Sequence, residues 1–319
     1  MRGRLFLETV MNNACKVVRF VLFLFLFISL AGCAGKLPDL LPETKMQAIN
    51  HNLRGIKYSE RGEKLQALAE FSEALRVSRS IENSEGIVVA LLNISRVHRR
   101  GGDANAALTA VSGAIPYLPP QGSLYAEVAF EMAQVKLLSG NLDEASEWAT
   151  KAVAADNSST RGMMVNLLAR IMFLKGNIAE AELKAQEALL ICRNNGLRAE
   201  EANSFRTLGD VKSVTNRAAE AAASYNQALE IDKNLGRSGK IVADLRALAR
   251  LAESQNNSGE ALEFYSRAFT ASKANVDLTG ACEDLMNMSR IHQKRGEKEL
   301  SERMLSERSN ILKNIRTPE

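Results

Sequence analysis

Two eight-residue segments far apart in the chain share one polar pattern: Leu91-Leu-Asn-Ile-Ser-Arg-Val-His98 and Leu285-Met-Asn-Met-Ser-Arg-Ile-His292. In each, an asparagine precedes an arginine by three residues (Asn93 and Arg96, Asn287 and Arg290), which puts both side chains on one helical face. An amide both donates and accepts hydrogen bonds, and a guanidinium fork matches a carboxylate through two parallel charge-assisted bonds. Arg170, Arg206, Arg246 and Arg250 extend the same chemistry through the second half of the chain. These residue types bind polar and acidic groups; they do not make or break bonds.

The usual catalytic arrangements are missing. The three histidines are His51, His98 and His292, and the last two occupy the same place in different segments, so they read as helix-face residues. Cys192 and Cys282 lie too far apart in a repeat array to bridge and read as buried thiols. No Gly-rich phosphate loop, His-Glu-x-x-His helix or Gly-x-Ser-x-Gly elbow occurs. The expectation is a protein that is not an enzyme and holds no metal or cofactor.

The elements that position the arginines are helices. Prolines stand at 38, 42, 116, 119, 120 and 318, and none lies between Gln121 and Thr317. Loops and turns normally use proline while helix interiors exclude it, so this gap argues for continuous helix. Ala, Leu, Glu, Lys and Arg dominate, aromatic residues make up only 5%, and alternating strand patterns are few. The fold class is all-α, and sandwiches, barrels and alternating α/β folds are excluded.

The first residues read as an address. An apolar run, Phe20–Leu30, follows Lys16 and Arg19 and is too short to span a membrane as a helix. It leads into Leu30-Ala-Gly-Cys33, which resembles the lipobox of bacterial lipoproteins. That resemblance implies a signal peptide over residues 1–32, cleavage before Cys33 and lipidation of Cys33, with palmitate-type acyl chains anchoring the protein to the bilayer. Met1 and Met11 both offer a start. Among Gram-negative lipoproteins, Ala34 in place of aspartate implies the outer membrane rather than the inner one, facing the periplasm. Residues 33–46, with two prolines, read as the lipidated cysteine and an extended tether. The formal charge of +4 comes from 41 basic and 37 acidic residues. The leader carries four basic groups and one acid, so the mature chain has a net charge of +1. No bulk attraction to nucleic acid follows.

Residues 47–316 form a repeat array. Gly62, Gly102, Gly140, Gly176, Asn216, Asn256 and Gly296 recur at intervals of 36–40 residues. Five and twelve residues after each stand Ala67 and Ala74 in the first copy, and alanine recurs in both columns in six of the seven copies. Seven before, every residue is small; eight before, six of seven are large and apolar. Small residues let antiparallel helices approach, large ones fill the crossings, and Gly or Asn ends the first helix in a left-handed turn. This framework resembles the tetratricopeptide repeat over about residues 48–313. The resemblance implies a right-handed α-solenoid of about seven helix-turn-helix repeats, with the polar helix Lys298–Arg316 as its cap.

The resemblance also implies that the first helix of each repeat lines a concave groove. Peptide-binding members use such asparagines to clamp a ligand's backbone and arginines to grip its carboxylates. The groove residues expected here are Asn93, Arg96, Arg170, Arg206, Arg246, Arg250, Asn287 and Arg290. The competing reading pairs these arginines with local acids such as Glu127, Glu131, Asp210 and Glu253. A more apolar surface at Phe130, Leu137, Phe173 and Leu174 is either extra core or a hydrophobic pocket. The function expected is a membrane-anchored periplasmic interaction scaffold. Its partner would be another protein or peptide segment, acidic or ending in a carboxylate. The alternatives are a pilotin-like outer-membrane assembly factor for a pilus or secretion secretin, and an adaptor for cell-wall enzymes.

Overall fold

The computed structural model describes residues 42–119, 121–156 and 158–316. The lipobox, Cys33 and most of the expected tether lie outside the described residues. Fourteen α-helices follow one another: α1 (Glu43–Glu60), α2 (Lys64–Ser80), α3 (Ser84–Arg100), α4 (Ala104–Ala114), α5 (Ser123–Leu138), α6 (Leu142–Ala155), α7 (Arg161–Leu174), α8 (Ile178–Asn194), α9 (Arg198–Val214), α10 (Ala218–Asn234), α11 (Ser238–Ser254), α12 (Ser258–Ala274), α13 (Leu278–Lys294) and α14 (Lys298–Arg316). There is no strand among the described residues. α1 begins at Glu43, inside the stretch read as tether. From Ala48 onward the chain forms one compact unit.

Helices pair in sequence, odd with the following even, and each pair packs on the next. The turn column sets this geometry. All seven of its residues have positive φ, from 58° at Asn216 and Asn256 to 82° at Gly176. The next N–H folds back to a carbonyl of the last helical turn, as from Asp103 N to His98 O at 3.0 Å and from Asn177 N to Met172 O at 2.9 Å. These bonds satisfy carbonyls that would otherwise be left open at the helix end. At Asp103, Asn141 and Asn257 the residue after the turn also caps the second helix with its side chain. Asp103 Oδ1 accepts from Ala106 N at 3.0 Å, and Asn257 Oδ1 accepts from Glu260 N at 3.3 Å.

A second left-handed column lies between repeats, at Glu82, Gly196, Gly236 and Val276, while Gly122 at φ 115° and ψ 179° makes a different turn at its junction. The proline-rich stretch interrupts this regularity: α4 is short and continues as a 3-10 turn over Ile115–Tyr117.

The alanine columns form the core between paired helices. Ala67, Ala107, Ala145, Ala181, Ala221 and Ala261 are fully buried, as are Ala74, Ala114, Ala152, Ala188, Ala228 and Ala268. In two of the three repeats whose second helix carries an aromatic residue in this column, the facing small residue is glycine. Gly55 faces Phe71 and Gly209 faces Tyr225, and a Cβ at either glycine would stand 2.5 Å from the ring. The core is therefore a series of overlapping clusters running the length of the array.

Candidate functional site

The odd-numbered helices turn one stripe of side chains away from the core. Positions sixteen, thirteen, nine, six and two residues before the turn fall on one helical face. On α5, α7, α9 and α11 this stripe borders a cavity of about 420 Å³, with Tyr225 of α10 at its floor. Phe130, Met163 and Leu167 give it an apolar side, and Arg170, Arg206, Lys240 and Arg250 outnumber the two acids of the lining, Glu200 and Asp210.

Most of the expected groove residues are engaged within the array. Arg96 donates to Glu127 at 3.0 Å. Asn93 is 7% exposed; its amide donates to Asn52 at 3.3 Å, and its carbonyl accepts from Arg96. Arg170 is ion-paired with Asp210 and lies over the Phe173 ring at 5.5 Å. Arg206 reaches Asp244 through Nε at 2.5 Å and Nη2 at 3.2 Å, and is also paired with Asp232. Arg246 grips Asp284, and Arg290 donates to Glu253 at 2.9 Å and to Asn287 at 3.4 Å. The physical reason is stacking: an arginine on one first helix stands beside an acid on the neighbouring first helix, close enough to pair. Glu131 likewise takes Arg99 through Nε at 2.9 Å and Nη2 at 3.1 Å.

Arg250 differs from the rest. It is exposed on the cavity wall and has no hydrogen-bond or ion-pair partner among the described residues. Asp210 and Glu253, on the neighbouring first helix and on its own, each hold other donors. Tyr225 donates to Asp210 at 2.8 Å, and Tyr265 donates to Glu253 at 2.9 Å. Burial, then the adjacent carboxylate, raises both tyrosine pKa values, so the phenols remain neutral donors. Lys240, on the same face of α11, is a second cation with no partner among the described residues. Crowding strips water from it and, with Arg206 and Arg237 nearby, lowers its pKa. Lys240 was not among the residues expected from sequence; the signal was available in the column sixteen residues before the turn.

The apolar surface is mixed. Phe130, Leu137 and Phe173 are half-buried against the core, whereas Leu174 is exposed. Cys192 and Cys282 are free and buried, and burial pushes the Cys192 thiol up to about 11. His51 pairs with Glu70 at 2.7 Å and His292 with Glu297 at 2.6 Å. Among the described residues no three His, Cys, Asp or Glu side chains are grouped to hold a metal ion, and no helix is long and apolar enough to cross a membrane.

Comparison with known proteins bears on the array itself. Residues 160–234, which contain α7 to α10, match the tetratricopeptide repeat family. The fold is a tetratricopeptide-repeat solenoid. A tetratricopeptide repeat protein from Parabacteroides merdae matches with a TM-score of 0.57 at 12% identity, covering 85% of this chain and 94% of that one. A Rap protein complexed with competence and sporulation factor matches at 0.63 and 13% identity, covering 84% of this chain and 76% of that one. PilF of Pseudomonas aeruginosa matches at 0.55 and 14% identity, covering 76% of this chain and 98% of that one. No curated protein matches the chain in sequence. At these identities the likeness is one of fold. A tetratricopeptide-type solenoid is a protein-interaction architecture, and no catalytic family is indicated.

Proposed function

We propose that this protein is a lipid-anchored scaffold facing the periplasm, which holds a segment of a partner protein in the groove formed by its odd-numbered helices. The observation that carries the reading is Arg250, an exposed cation on the cavity wall whose neighbouring acids are already occupied. An acidic side chain or terminal carboxylate entering the cavity meets Arg250, with Lys240 on the same face, and displaces no existing pair. The other arginines hold the walls in register, and Asn203 and Asn166 add polar groups to the lining. Anchoring is supported by Cys33 in its Leu-Ala-Gly-Cys setting, and the outer membrane by Ala34.

The test uses the full chain in its native envelope, crosslinked and purified. Arg250→Glu should lower partner recovery at least tenfold, while Arg290→Gln, which only removes one end of an existing pair, should lower it a few-fold at most. Equal recovery with Arg250→Glu and the parent counts against the groove. Cys33→Ser should move the protein from the membrane to the soluble fraction, and retention in the membrane counts against the anchor.

A further inference from the structure

Leu183 and Leu190 on α8 are exposed apolar residues away from the groove, but three others in the middle repeats share one position beside it. Leu138, Leu174 and Val214 are the last residues of α5, α7 and α9. Each stands two residues before its turn residue, at the end of the stripe that lines the cavity. They are 44%, 42% and 56% exposed, against the tendency of large apolar side chains to be covered. The same position holds Glu60, Arg100, Ser254 and Lys294 in the other four repeats. Because α5 packs on α7 and α7 on α9, the three residues stand at one register on successive helices and together edge the groove as a lip. Phe173 and Leu137, half-buried beside them, widen it. The next helix, α11, ends this lip with Ser254 and, one turn earlier, carries the unpaired Arg250. The groove thus changes from apolar to cationic in one direction along the array.

Its spacing defines what fits. Neighbouring packed helices lie about 8–10 Å apart, and seven residues of an α-helix advance about 10.5 Å. A helix lying across α5, α7 and α9 therefore places every seventh residue on the next element of the lip. Its C-terminal end carries the negative end of the helix dipole, which suits the cations of α11.

We propose that α5 to α11 form a composite docking site for an amphipathic helical segment of a partner protein. Apolar side chains at seven-residue spacing sit on Leu138, Leu174 and Val214, and the acidic C-terminal end reaches Arg250. This rests on the reading of the groove as the partner-binding surface and adds the partner's pattern and direction.

The test is fluorescence anisotropy on the full mature chain in detergent. The probe is a labelled synthetic helix with three leucines at seven-residue spacing, followed by two glutamates and a free carboxylate. A second peptide replaces the leucines with serine, and a third places the glutamates before the leucines. The first should bind, and the other two should bind at least tenfold more weakly. Leu174→Glu with Val214→Glu should weaken the first peptide about tenfold, while Leu65→Glu, on the exposed face of α2, should not; circular dichroism checks that each variant is folded. No binding of the first peptide overturns the proposal, as does equal binding of the serine or reversed peptide. If the serine peptide binds equally and Arg250→Glu abolishes both, acid capture stands and the apolar lip falls. If Arg250→Glu leaves the first peptide's affinity unchanged, the groove reading falls with it.

Discussion

Arg246 on α11 and Asp284 on α13 are joined by two parallel hydrogen bonds, Nε to Oδ1 at 2.7 Å and Nη2 to Oδ2 at 2.8 Å. Asp284 is wholly buried, and Ser272 donates to it as well at 3.3 Å. The bond to Asp284 is the main reason the Arg246 pKa is raised. One repeat earlier, Arg206 and Asp244 repeat the arrangement. These pairs stitch one first helix to the next and fix the stacking on which the groove depends.

Removing one partner should therefore cost far more than losing a surface pair. Arg246→Met leaves Asp284 buried without its counter-charge, and the expected loss is about 3–5 kcal/mol. Urea denaturation followed by circular dichroism reads it. Joint replacement of Arg246 by Met and Asp284 by Leu should recover most of the loss, because the buried charge is gone.

The close approach of α9 and α10 gives a second outcome. Tyr225 is nearly fully buried, its hydroxyl is held by Asp210, and a Cβ on Gly209 would meet its ring at 2.5 Å. Gly209→Ala should destabilise by about 1–2 kcal/mol, overpacking outweighing the helix propensity gained. Gly239 on α11 has open space around its Cβ position, so Gly239→Ala should instead stabilise by up to about 1 kcal/mol. Thermal melts of the two variants should shift in opposite directions.

Val276 holds φ at 58° between α12 and α13 with its side chain 77% exposed. A β-branched residue in the left-handed region is strained and here buries little in return. Val276→Gly should raise stability by roughly 1 kcal/mol, measured as a higher urea midpoint.

The array was legible in the sequence because its constraints are local and repeated. Gly or Asn at the turn, alanine at two fixed distances and a small residue before the turn each answer one packing demand, and phase across seven copies exposes them. The second turn column was harder to see: Glu82 and Val276 adopt a positive φ that glycine takes at 196 and 236, so residue type hides the demand. The groove's stripe was legible in part. Arg250 stood out by its column, but its lack of a partner depends on Tyr225 and Tyr265 occupying the neighbouring acids, which involves pairs 12 and 15 residues apart. The Arg206–Asp244 and Arg246–Asp284 pairs join residues 38 positions apart. Nothing short of stacking the helices shows which arginines such pairs consume.

Site-resolved photocrosslinking in the native envelope tests the central claim most directly. A photoreactive side chain at Ala243, exposed on the cavity wall on the same helix as Arg250, should form an adduct with one partner protein. The same group at Leu65, exposed on α2, should not. Adding Arg250→Glu should abolish the Ala243 adduct. An adduct of equal yield at Leu65, or one that survives Arg250→Glu undiminished, would contradict capture in this groove.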